Sequence, residues 1–172
     1  IEYGVFRVND GEAFVCTSRA ALNLSYQGYS REPGKPELIS AVKGSSLIGR
    51  FFKKPSAVSS TSVHLPVLPM MTIVESIGTG IVTSVPSSSC DDYAAFRDLC
   101  EKEPLRRKFG LTDDQVLPYF KPTSVVHTES LGDLGAERLV KEMNIKSQND
   151  RDLLDKAKER LYKEEFYSGV MT

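Results

Sequence analysis

The sequence predicts an α+β fold in which a mixed or barrel-like sheet is surrounded by helices, and three observations predict it. β-forming segments crowd the first half of the chain, helical spacing dominates from Asp91 onward, and no internal repeat is visible. Hydrophobic residues make up 40% and charged residues 26% of the 172, which suits one globular core and lies far from the composition of disordered chains.

Each element has its own local reason. Val5, Phe6 and Val8 lead into Asn9-Asp10-Gly11, whose Asp-Gly pair tolerates the positive φ of a tight hairpin, and Ala13-Phe14-Val15-Cys16 forms the return strand. Thr17 or Ser18 then caps a helix over residues 19–27, with Ala20, Ala21, Leu22, Leu24 and Tyr26 at helical spacing and Gly28 at its end. Residues 31–37 are a polar loop. Strands follow at 38–42 and 47–52, and the Ser-, Lys- and Pro-rich stretch 53–62 is a loop or irregular edge. Residues 63–68 and 71–74 are β-rich, and 77–86 is expected to be a buried strand entered through the glycine pair Gly78 and Gly80.

After Ser87-Ser88-Ser89 a helix is predicted over 91–102, with Ala94, Ala95 and Leu99 on one side. That order, strand then loop then helix, sets a helix amino terminus beside a strand end. Short helices at 104–109 and 112–116, a small strand at Val125-Val126 and an amphipathic helix over 133–143 come next. The last helix, over 148–166, takes Ser147 as its N-cap and buries Leu153, Leu154, Ala157 and Leu161. Its opposite face, with Arg151, Asp152, Lys156, Glu159, Arg160 and Lys163, is a solvated surface.

Bulk properties exclude several functions. Lys and Arg total 22 against 23 Asp and Glu, a net charge of −1, so the chain has no cation surplus for wrapping duplex DNA or lying on an anionic membrane. No stretch approaches the ~20 apolar residues of a membrane-spanning helix. Three cysteines without paired spacing, and no signal-peptide pattern, give the expectation of reduced thiols in the cytoplasm. The glycine pair fails as a dinucleotide fingerprint because Thr83 stands where a third Gly or Ala is needed, and no P-loop is present. His64 and His127 lie far apart and the cysteines form no clamp, so no metal is expected.

Two groups remain at the start of the helix after Ser89. Cys90 sits where a helix dipole lowers a thiol pKa, but with no nucleophile elbow it reads as a bystander. Asp92 stands three residues after Ser89, and the residue pattern alone favours a capping-box carboxylate that only stabilises the helix.

Four segments add to this reading. Asn23-Leu24-Ser25-Tyr26-Gln27-Gly28, Leu68-Pro69-Met70-Met71-Thr72, the run from Gly78-Thr79-Gly80 through Val85-Pro86-Ser87 with Asp91-Asp92, and Ile145-Lys146-Ser147-Gln148-Asn149-Asp150-Arg151 occur in this order. Together they resemble the editing insertion, or connective polypeptide domain, of cytosolic, eukaryotic-type leucyl-tRNA synthetase over nearly the whole chain. The resemblance implies one editing domain over residues 1–172, a piece of a larger class I synthetase, folded around a β-barrel. Its implied activity is hydrolysis of the ester bond in mischarged tRNA(Leu), with isoleucyl, methionyl and norvalyl esters as substrates. A second sieve of this kind is needed because a synthetic pocket rejects near-isosteric side chains by only ~10–200-fold.

Carried over residue by residue, the resemblance makes Asp92 the holder of the substrate α-ammonium group. Val74, Ile77, Thr79, Thr83 and Val85 fall where the family lines the pocket for the terminal adenosine and amino acid. Ser88 falls where bacterial members place a histidine, Asp91 where they have an arginine, and Met70 and Met71 are implied pocket walls. The implied partner is the 3′ end of tRNA(Leu), met by a monomer without a membrane, and the editing step uses no cofactor; ATP and magnesium serve the parent enzyme at a separate site. The family's threonine-rich segment precedes the first strand, so the isolated chain is expected to lack part of the sieve. The competing expectation is a non-catalytic module that keeps the fold and docks the tRNA end or a protein.

Overall fold

The computed structural model describes residues 1–9, 11–54 and 63–172, so Asp10 of the expected turn and residues 55–62 of the expected loop lie outside the described residues. The fold is mixed α and β, and it divides into two compact units. One comprises residues 1–48 and 73–83, the other residues 49–72 and 84–172.

In the first unit, β1 (Glu2–Asn9) is the centre of a three-stranded antiparallel sheet, between β2 (Glu12–Cys16) and β3 (Glu37–Lys43). Val5 pairs with Val15 on one side and Ser40 on the other. Alternation along β1 turns Phe6 and Val8 to one face and Tyr3, also buried, to the other. Phe6 packs with Cys16, Ala20 and Ala21, flanked by Phe14 and Leu24. Helix α1 (Ser18–Leu24) starts where expected: the Thr17 hydroxyl accepts from the amide of Ala20 at 3.4 Å. A single wider turn over Ser25–Tyr29 ends it, with Gly28 at φ 87°.

The expected buried strand at 77–86 does not form. Most of it is exposed coil, Ile77 at 69% and Val82 at 54%. Gly78 and Gly80 take φ values of 57° and 76°, which break an extended run. What holds this segment is hydrogen bonding through its backbone carbonyls: the Tyr3 hydroxyl donates to Gly80 O at 2.6 Å, the Thr17 amide to Thr79 O at 3.0 Å, and Arg19 to Ser76 O. A Cβ at Gly80 would stand 2.7 Å from Thr17 Cγ2 and 2.9 Å from the Tyr3 ring, so both the backbone angle and the space demand glycine.

Among its described residues the second unit holds a short antiparallel ladder of β4 (Phe51–Lys54) with β5 (Val63–Pro66), and the α-helices α2 (Cys90–Glu101), α3 (Glu103–Lys108), α4 (Gly135–Glu142) and α5 (Arg151–Ser168). Residues 47–50 and 71–72, expected as β, are turn and coil. Helices α2, α4 and α5 enclose the main core of Ala94, Leu139, Val140, Leu154, Ala157 and Leu161. Phe120 closes it against Tyr93 and Phe96, with ring centroids 5.5 Å and 5.0 Å away. The small strand at β6 (Val126–His127) pairs with β7 (Val170–Met171).

Among the described residues the strands form three separate small sheets and none closes, so there is no barrel. Helix α5 begins at Arg151 and not at Gln148: the Ser147 hydroxyl donates to Asp98 at 2.9 Å and accepts from the amide of Asn149 at 3.3 Å, two residues ahead of the helix.

Candidate functional site

The amino terminus of α2 brings the most chemistry together. The Ser89 hydroxyl caps it, accepting from the amide of Asp92 at 3.3 Å, which is the first arm of the capping box. The second arm is absent: the Asp92 carboxylate turns back to accept from the amide of Val85 at 2.7 Å. Asp92 therefore ties the incoming chain to the helix, and it does more than terminate the helix.

Asp92 is 9% exposed and its neighbour Asp91 7% exposed, so two carboxylates are buried side by side. Burial pushes the Asp92 pKa upward, against the pull of the Val85 amide, the Ser89 hydroxyl and Lys158, with Asp91 adding to the rise. Asp91 meets Lys158 of α5 at 2.6 Å, and that hydrogen bond raises the lysine pKa. Nothing in the sequence marks Lys158 as special; its role comes from helix packing. Cys90, between the serine and the carboxylates, has its thiol pushed up to about 12, chiefly by burial and then by Asp91. A thiol so placed is protonated and a poor nucleophile near neutral pH.

Of the residues singled out in the sequence, Val85, Ser88 and Asp92 come together: Ser88 donates its amide to Val85 O at 3.1 Å, and Val85 donates its own to Asp92. Ser88 faces the Glu165 carboxyl, whose pKa burial raises and this serine lowers. The buried hydroxyl of Ser87 has no hydrogen-bond partner among the described residues. Met70 and Met71 lie in the coil after β5, half-buried and exposed respectively. Val74, Ile77, Thr79 and Thr83 belong to the first unit, and all four are exposed. Ile77 donates its amide to Val74 O at 3.1 Å, and the Thr79 hydroxyl to Ile81 O at 2.6 Å.

The Ser147–Arg151 motif is also accounted for. Asp98 of α2, 1% exposed, accepts from the Ser147 hydroxyl at 2.9 Å, the Gln148 amide at 3.0 Å and Lys102 Nζ at 2.7 Å. Gln148 and Arg151 in turn hold the backbone of Met71. Among the described residues no three His, Cys, Asp or Glu side chains are arranged to hold a metal ion, and His127 pairs with Asp133 at 2.7 Å.

No protein-family profile matches the chain. Individual proteins do. The chain is 44% identical over 171 residues to the cytoplasmic leucine–tRNA ligase of Pongo abelii, covering 99% of itself and 14% of that protein. Against the cytoplasmic leucine–tRNA ligase of Dictyostelium discoideum it is again 44% identical, over 99% of itself and 16% of that protein. The chain thus spans about a sixth or less of the length of these curated relatives. Among solved structures it resembles GlLeuRS-CP1, with a TM-score of 0.85 and 34% identity, covering 99% of this chain and 60% of that one. The cytosolic leucyl-tRNA synthetase editing domain of P. knowlesi gives a TM-score of 0.81 and 27% identity, over 99% of this chain and 64% of that one.

The class these matches define is the editing domain of an aminoacyl-tRNA synthetase. Within it, the chain matches the cytosolic leucyl-tRNA synthetase family over 99% of its length.

Proposed function

We propose that the chain works in the cytoplasm as the editing module of a leucine–tRNA ligase, and that it hydrolyses the ester bond of mischarged tRNA(Leu). Isoleucyl, methionyl and norvalyl esters are its substrates in this reading. The observation that carries it is the placement of Asp92: a nearly buried carboxylate at a helix start, one oxygen fixed by the Val85 amide, with the ability to hold a cationic α-ammonium group. The carboxylate orients the ester, and a water attacks the carbonyl with no covalent enzyme intermediate, so positioning supplies the rate. ATP and magnesium belong to the parent's synthetic site in this scheme. The near-neutral chain, −1 overall, suits a monomeric module that meets only the single-stranded tRNA end.

The test is deacylation of isoleucyl-tRNA(Leu) by the full-length enzyme that carries this chain, with leucyl-tRNA(Leu) as control. Asp92→Asn keeps an acceptor for the Val85 amide but removes the charge. It is expected to lose roughly 10–100-fold in hydrolysis, the worth of a charge-assisted hydrogen bond, at nearly unchanged melting temperature. Full hydrolysis by Asp92→Asn, or none by the wild type, refutes the reading. In the second case the chain is a docking module.

A further inference from the structure

We propose that Lys158 is a positioning residue of the editing site: by pairing with Asp91 it cancels the charge beside Asp92, and so sets the lowest pH at which Asp92 holds the substrate ammonium group. This rests on the editing reading above.

Asp91 and Asp92 are consecutive on α2 and both are buried, so little water lies between them to screen one charge from the other. A like charge so close works against ionisation of Asp92, and only the ionised carboxylate can hold an ammonium group. The hydrogen bonds that Asp92 itself accepts, from the Val85 amide and the Ser89 hydroxyl, come from neutral donors.

The compensating cation comes from α5. Lys158, Tyr162 and Glu165 stand at positions i, i+4 and i+7 of that helix, on one face. Lys158 Nζ reaches Asp91 Oδ2 at 2.6 Å, and this bond raises the lysine pKa, which keeps it charged. Its other acidic neighbour, Asp155, is 4.0 Å away with its side chain mostly in water, so the lysine charge is engaged by Asp91. The remaining titratable groups here supply no cation. Tyr162 also faces both carboxylates, and its pKa is raised, first by partial burial, which leaves a neutral hydroxyl. Cys90 is a neutral thiol with its pKa at about 12, and Glu165, raised by burial, lies toward Cys90 and Ser88. Stability does not account for the arrangement, since a buried ion pair seldom contributes more than apolar packing in its place. Set one residue from the ammonium holder, the pair instead removes a repulsion that the site would otherwise carry.

The experiment measures the pH dependence of kcat/KM for isoleucyl-tRNA(Leu) hydrolysis by the full-length enzyme from about pH 5 to 8, corrected for uncatalysed loss of the ester. The proteins are wild type, Lys158→Met, Lys158→Arg, Asp91→Asn and the Lys158→Met/Asp91→Asn double variant, with Asp92→Asn as control. Wild-type activity is expected to fall on the acid side as Asp92 takes up a proton, and Asp92→Asn to lack that limb. Lys158→Met leaves Asp92 beside an unopposed Asp91 and moves the limb up by about one pH unit, roughly a tenfold loss at a pH below it. Asp91→Asn leaves the lysine unopposed and moves the limb down. In the double variant the two shifts cancel, and Lys158→Arg, which keeps the cation, restores the wild-type limb.

A purely structural pair would give losses of one sign that do not move the limb. An unmoved limb in Lys158→Met, shifts of the same sign in the two single variants, or a limb that persists in Asp92→Asn each overturn the proposal. If Lys158→Met does not fold, Asp91→Asn and the double variant decide: a limb that fails to move down in the first, or to return in the second, is equally fatal. When wild type and Asp92→Asn behave as the editing reading requires but the charge variants leave the limb in place, only this inference fails. Loss of isoleucyl hydrolysis in the wild type removes both.

Discussion

Asp92 and Cys90 sit two residues apart, and the same burial acts on both with different consequences. The carboxylate keeps polar partners, the Val85 amide and the Ser89 hydroxyl, so its charge is affordable despite the upward push of desolvation. The thiol is 1% exposed and has carboxylates as neighbours, and its pKa rises to about 12. The sign of the resulting pH dependence follows directly. An unfolded cysteine gives up its proton near ~8.5, whereas the folded one keeps it, so stability is intact below that value and falls as pH climbs from ~8.5 towards 12. One proton corresponds to a slope of about 1.4 kcal/mol per pH unit. Urea unfolding at pH 8 and pH 10 is expected to show this loss in the wild type and a smaller one in Cys90→Ala. Equal losses in the two proteins count against it. Iodoacetamide at pH 8 is expected to leave Cys90 unlabelled until the protein is unfolded.

Among the elements, α2 organises the second unit. Its first turn is spent on Ser89, Asp91 and Asp92, its buried face on Ala94 and Leu99, and its Asp98 on fixing the stretch before α5. Asp98→Ala is expected to cost about 1–3 kcal/mol, because it unpairs the Ser147 hydroxyl and the Gln148 amide, whereas Lys102, whose side chain is 41% exposed, turns to water. Chemical denaturation reads this as a lowered midpoint with an unchanged m-value. A loss below ~1 kcal/mol would mean that the network is replaced by water at little cost. This element was legible in the sequence, since Ser89, the acidic first turn and the apolar spacing marked its start to within a residue. The start of α5 was not, because Ser147 is drawn to Asp98 of another helix and its hydroxyl accepts from Asn149, ahead of the first helical residue.

Among the described residues there are two apolar cores, one around Phe6 and Ala21 under the three-stranded sheet, the other around Leu139, Leu154 and Leu161 among the helices. Leu161 is fully buried, and Leu161→Ala is expected to cost about 2–5 kcal/mol by equilibrium unfolding, the range for an unrelaxed cavity. A cost below ~1 kcal/mol would show that the helices close over the space.

Local chemistry in the sequence was sufficient for the hairpin of β1 and β2, the Thr17 cap, the positions of α1 to α4 and the motif carrying Asp92, since each rests on turn, cap or periodicity signals within a few residues; the helix expected at 112–116 is a single tight turn over Asp113–Gln115. Tertiary structure alone decided the rest. Residues 77–86 have strand-like composition, yet the positive φ at Gly78 and Gly80 and the pull of the Tyr3 and Thr17 donors make them coil. The barrel fails for a similar reason: strand propensity does not say which strands pair, and these pair in three small sheets. Lys158 beside Asp91, and the Gln148 and Arg151 hold on Met71, join residues far apart in the chain. No local pattern encodes such bonds, because they depend on where helices pack and not on what either segment prefers by itself.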